Sequence, residues 1–150
     1  MSILAKQRNR KLIVEIICWV CFGLFVYAAI SKLLAFDKFK VTIGQSTMLT
    51  PYAGVLAWLV PVLEIVIAVM VQFNRFRALG LYAFFSLMTM FTTYIFIILQ
   101  FNDDKPCACG GLIEAMGWSV HFIFNISFVV LGVIGIWLQA SLRHCEGGNE

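Results

Sequence analysis

Apolar residues gather in four long runs separated by short polar stretches. The runs cover roughly 12–34, 52–73, 78–101 and 118–138. Each is about 20 residues or more, enough for a helix rising 1.5 Å per residue to cross a ~30 Å hydrocarbon layer. The runs are apolar all round and lack period-2 alternation, which excludes a transmembrane barrel. The pattern therefore predicts an all-α, integral membrane four-helix bundle. Its short connections set sequence neighbours antiparallel.

Composition agrees with that reading. Of 150 residues, 61% are hydrophobic and only 13% are charged, about half the charged share of a soluble domain. One core of this size cannot hide so much apolar surface from water, whereas lipid accepts it. The length fits one transmembrane domain over 1–150. No repeat or low-complexity tract stands out, and no phosphate-cradling or base-reading motif points to nucleic acid. Basic residues precede the first run and Val26-Tyr27-Ala28 resembles a cleavage triplet. The run is nevertheless too long for a signal-peptide core and continues through Ser31-Lys32-Leu33-Leu34, so it is expected to be a retained span.

Charge then sets orientation. With the N-terminus inside, the inner side holds Lys6, Arg8, Arg10, Lys11, Arg75, Arg77 and Arg143, seven in all, and the outer side holds four, Lys32, Lys38, Lys40 and Lys105. The positive-inside rule places both termini in the cytoplasm and the third connection outside. In a bacterium that is the periplasmic face of the inner (cytoplasmic) membrane.

That connection contains Pro106-Cys107-Ala108-Cys109-Gly110-Gly111. A disulfide between Cys107 and Cys109 closes a small, strained ring, a poor staple but a good electron acceptor. The adjacent glycines leave room for a partner thiol. A helix starting near Leu112 or Trp118 would turn its positive end toward the loop and favour a thiolate. The plainer alternative is an inert local bridge or two free thiols. Cys18 and Cys21 share one helix face inside the first span and read as packing residues. Cys145, on the cytoplasmic tail, should stay reduced.

Further positions carry polar chemistry inside or beside the spans. Glu64 lies near the middle of the second span, where a carboxyl must be neutral or hydrogen-bonded. Thr89, Thr92 and Thr93 lie at comparable depth and are candidates to face it. Trp118, His121, Phe122 and Asn125 fall at i, i+3, i+4 and i+7, one stripe beneath the cysteine loop. His121 could exchange a proton during thiol chemistry, bind a thiol or a quinone oxygen as a neutral imidazole, or simply pack. Lys32, at the outer end of the first span, snorkels upward, lowers the pKa of a neighbouring thiol, or pairs with an acid. The two loop cysteines and His121 offer three zinc ligands at a spacing of no usual structural finger, so no metal is expected.

Together these residues resemble the methylamine-utilisation MauE family, within the wider DoxX-like group of redox-associated four-span membrane proteins. The resemblance rests on Ser31-Lys32-Leu33, Phe39, Pro61-Val62-Leu63-Glu64, Cys107-Ala108-Cys109-Gly110-Gly111, and Trp118, His121, Phe122 and Asn125. It implies a bundle that supports disulfide formation in exported proteins, often beside a thioredoxin-fold partner. In the methylamine branch, the protein served is the small subunit of methylamine dehydrogenase.

The expectation is a membrane helper of envelope thiol–disulfide exchange. Cys107 and Cys109 would exchange electrons, His121 would handle protons, and Glu64, Lys32, Trp118 and Asn125 would support them. A thioredoxin-like periplasmic protein or an exported disulfide protein is the expected partner. A quinone is the candidate electron sink, although no residue set in the sequence marks its site. The rival reading is a non-catalytic accessory or scaffold subunit of an envelope complex.

Overall fold

Backbone amides find no water in hydrocarbon, so each apolar run closes its hydrogen bonds within itself as a helix. The structure, a computed structural model, describes residues 2–44, 50–101 and 112–147. The helices are α1 (Ser2–Leu34), α2 (Phe36–Gly44), α3 (Ala53–Gln72), α4 (Arg77–Phe101) and α5 (Leu112–Gly147). Four segments are long and apolar enough to cross a membrane: Gln7–Leu34, Ala53–Gln72, Arg77–Ile97 and Ser119–Leu142. They coincide with the four apolar runs to within a few residues. The outer two helices run on past their apolar parts.

The helices form a ring. α1 packs on α3, α3 on α4, α4 on α5, and α5 closes back on α1. Gln72 Nε2 reaches the Cys18 carbonyl at 3.5 Å, while Lys40 lies beside Gly54 at the other end, so α1–α2 and α3 run antiparallel. On the opposite side of the ring, Gly135 faces Leu81, Gly132 faces Phe84, and the Phe96 and Phe122 rings are 6.1 Å apart. That register is antiparallel as well.

The core fills the space inside the ring. Phe25 of α1 and Phe84 of α4 meet across its diagonal with centroids 4.5 Å apart. Val14, Ile17, Val71, Leu81 and Leu138 belong to the same buried cluster. The outer surface is also apolar: Trp19, Val55, Trp58, Ile123 and Trp137 are all exposed, as a lipid-facing surface requires. Hydroxyls inside the helices bond inward to their own backbone. Ser86, Ser127 and Ser141 each donate to the carbonyl four residues earlier.

The α3–α4 hairpin is tight. A β-carbon at Gly80 would sit 2.8 Å from the Val71 backbone nitrogen, so only glycine lets α4 begin this close to the end of α3. Arg77 Nε donates to the Val71 carbonyl at 3.4 Å, satisfying one of the terminal acceptors that a helix leaves open.

The first connection contains a further helix, α2, which the hydrophobic pattern does not predict. The Ala35 N–H donates to the Ser31 carbonyl at 3.1 Å and the Phe39 N–H to the Ala35 carbonyl at 2.9 Å. Helical bonding thus passes through the break between α1 and α2. Phe36, Phe39 and Ile43 fall at i, i+3 and i+7, one helix face. With that face α2 packs on α3, Ile43 against Ala53 and Ala57 and the Phe36 ring 5.0 Å from that of Trp58.

α5 has one interruption. Gly117 takes φ 69° and ψ 160°, a region open essentially to glycine alone. The turn at its head, Leu112 onward, is therefore set at an angle to the spanning part that begins beside Trp118.

Candidate functional site: a polar cluster inside the bundle

Lys32 lies near the last turn of α1, where an ammonium could rise to the surface. It points the other way. Its Nζ donates to Glu64 Oε1 at 2.6 Å, so the pairing alternative holds and snorkelling does not. Pro61 leaves α3 helical, and three residues later Glu64 faces the interior with 0% exposure. The Lys32 ammonium also lies 5.4 Å from the Phe91 ring centroid and 5.9 Å from that of Phe39. Both distances suit a cation held over an aromatic face. Residues of α1, α2, α3 and α4 thus converge on one charge.

Glu64 keeps one oxygen unused. Oε2 is buried and has no hydrogen-bond partner among the described residues. The sequence expectation that Thr89, Thr92 and Thr93 could face this carboxyl is overturned. Their hydroxyls donate to Phe85, Met88 and Thr89 carbonyls of their own helix at 2.8, 2.7 and 2.9 Å, and Thr89 and Thr93 are exposed. In an apolar slab, a threonine finds its nearest acceptor on its own preceding turn.

α5 supplies the remaining wall. His121 is half-buried and Asn125, one turn deeper on the same face, is 5% exposed. The imidazole stacks on Phe124 with centroids 6.4 Å apart. His121 Nδ1 and Asn125 Nδ2 are buried without partners among the described residues. The α4–α5 register, with Phe84 beside Gly132 and Phe96 beside Phe122, brings Phe91 level with Asn125. The Lys32 ammonium beside Phe91 is therefore at that depth too.

The cysteines divide by position. Cys18 and Cys21 are buried and free, packed in the core near the α3–α4 end. Lys32 lies eleven residues beyond Cys21, about 16 Å along a helix. Cys107 and Cys109 lie outside the described residues, on the chain joining α4 to α5. Trp118 directly follows Gly117 in α5. Sequence reasoning selected Lys32, Glu64, His121 and Asn125 separately, without seeing them as one cluster. It named Phe39 only through the family resemblance and missed Phe91, since nothing in sequence sets Phe91 apart among 14 phenylalanines.

These features define a multi-pass helical membrane protein whose interior holds an ion pair and several polar atoms without partners among the described residues. The sequence matches the family of methylamine utilisation protein MauE over residues 10–138, and the chain belongs to that family. No curated protein and no solved structure matches it.

Proposed function

We propose that this protein is a helper of envelope thiol–disulfide exchange, acting in the bacterial inner membrane with its Cys-x-Cys connection on the periplasmic side. The observation that carries the reading is the Cys107-Ala108-Cys109 sequence between α4 and α5 of a MauE-family bundle. The polar cluster on the α5 side of that connection supports it. A strained bridge between neighbouring cysteines is readily reduced, which suits transfer better than stapling.

The exchange balances in two steps. A thiolate of the partner attacks the Cys107–Cys109 disulfide, forming a mixed disulfide and releasing one loop thiolate. The second partner thiolate then attacks the mixed bond, leaving the partner oxidised and both loop cysteines reduced. Two electrons have moved to the loop; run backward, the same steps reduce the partner. His121 takes up and returns the proton as each thiol becomes a thiolate. Lys32 and Glu64 fix the charge beneath it, and Trp118 and Asn125 flank it on the same helix. The partner is a thioredoxin-fold periplasmic protein or an exported protein that gains disulfides.

One experiment separates this from a purely scaffolding role. Cys107→Ser or Cys109→Ser should trap a partner adduct that disappears with reductant, and the double variant should give none. His121→Ala should slow adduct turnover by about 10²–10⁴-fold, the usual worth of a positioned acid–base group. Full cellular activity of the double variant, with no adduct from either single one, would leave only the scaffold.

A further inference from the structure

Glu64, His121 and Asn125 each carry a buried polar atom without a partner among the described residues. Such an atom in hydrocarbon costs several kcal/mol. A buried ion pair is a poor source of stability, since well-packed apolar residues of similar volume usually do as well or better. The Lys32–Glu64 pair and three unpaired atoms at neighbouring depths therefore point to a molecule that completes them.

The chemistry of the set limits what that molecule is. Asn125 Nδ2 can only donate. An ionised Glu64 Oε2 can only accept, and His121 Nδ1 does either according to its tautomer. The site thus suits a head group whose oxygens accept in one state and donate in another. Phe91 and Phe39 flank the ammonium, and Phe124 stacks on His121, so flat aromatic faces border the polar atoms. The cluster sits within the depth of spans whose outer faces are apolar, where a lipid-soluble molecule partitions. A water would satisfy the polar atoms alone, but it makes no use of the aromatic borders.

We propose that the interior cluster of Lys32, Glu64, His121 and Asn125 is a binding site for the head group of a membrane quinone. One quinone carbonyl accepts from Asn125 Nδ2, and the hydroxyls of the reduced form donate toward Glu64 Oε2 or His121 Nδ1. Binding stands on the cluster alone. The origin of the electrons rests on the thiol-exchange reading. There, the two loop thiols give up two electrons and two protons, become the Cys107–Cys109 disulfide, and convert the quinone to the quinol.

The test uses the full chain in lipid nanodiscs and a short-chain ubiquinone carrying a photoactivatable azide on its ring. Saturable labelling that maps to residues 118–128 of α5 and is competed by unlabelled short-chain ubiquinone is the expected result. Asn125→Leu, similar in volume, removes one donor and should weaken competition about tenfold, the worth of one hydrogen bond. Ser127→Ala, whose exposed hydroxyl bonds only its own helix, should leave it unchanged. Labelling that cannot be competed, or equal competition in wild type and Asn125→Leu, overturns the site. The same labelling on the Cys107→Ser/Cys109→Ser variant separates the two proposals. Binding there without partner adducts in the single variants would fail the thiol reading alone. Adducts without competed labelling would fail the quinone site alone.

Discussion

Lys32 Nζ and Glu64 Oε1 are 2.6 Å apart, thirty-two residues apart in sequence, and their contact ties α1 to α3 inside the membrane. The ammonium leaves the surface it could have reached in order to meet a fully buried carboxyl. Neither group is well placed alone. An isolated charge in the bilayer is expensive, and pairing is the common remedy.

Removing one member should therefore cost more than removing both. Lys32→Ala leaves Glu64 buried without its donor and should destabilise the bundle by about 3–5 kcal/mol. Lys32→Met with Glu64→Leu should recover most of that loss. Glu64→Gln keeps an acceptor for the lysine and should stay folded, whereas Glu64→Lys sets two ammonium groups together and should not accumulate. Unfolding by titrated detergent checks the series. A Lys32→Ala protein as stable as wild type would show the contact to be idle.

Two glycines should answer alanine oppositely. At Gly80 a β-carbon meets the Val71 backbone nitrogen at 2.8 Å, while at Gly23 nothing lies within 4 Å. Gly80→Ala should cost about 1–3 kcal/mol through overpacking of the hairpin. Gly23→Ala, inside α1, should gain up to about 1 kcal/mol from helix propensity. Equal midpoints for the two variants would contradict the close approach of α3 and α4.

The cysteines should differ in access. A membrane-impermeant maleimide applied to spheroplasts should label reduced Cys107 and Cys109 but not Cys145. Cys18 and Cys21, both buried in the core, should react only after denaturation, even with a permeant reagent. Labelling of Cys145 from outside, with the loop cysteines silent, would invert the orientation and remove the compartment in which a loop disulfide persists.

Gly117→Ala should be felt locally. The φ of 69° and ψ of 160° at this position strain any residue with a β-carbon by about 1–3 kcal/mol. Among the described residues no side chain stands in the way, so the cost falls on the backbone. Hydrogen exchange should quicken over the head of α5 and stay unchanged between Phe128 and Leu142. Uniform quickening along α5 would mean that the break at Gly117 is coupled to the whole bundle.

The sequence by itself determined the four spans. Hydrocarbon imposes one rule, that backbone bonds close within the segment, and that rule depends only on a run's length and apolarity. The same reasoning marked Cys18 and Cys21 as packing residues and selected Glu64, His121 and Asn125, because a polar group inside an apolar run is conspicuous wherever the chain folds. The MauE resemblance, carried by short motifs, was legible too and agrees with the family match.

Other features depended on which helix lies beside which. α2 was hidden because nine residues of mixed polarity become a helix only when Phe36, Phe39 and Ile43 find α3 to pack against. The direction of Lys32 was undecided in sequence, since a long flexible side chain at a span's end can point either way. Only the antiparallel packing of α1 on α3 brings Glu64 within its reach. Thr89, Thr92 and Thr93 shared the depth of Glu64 yet turned to their own backbone, a choice made by rotation about the helix axis. Sequence reports depth and chemistry, while azimuth around each helix, and hence the assembly of one polar cluster from three spans, is set by tertiary packing alone.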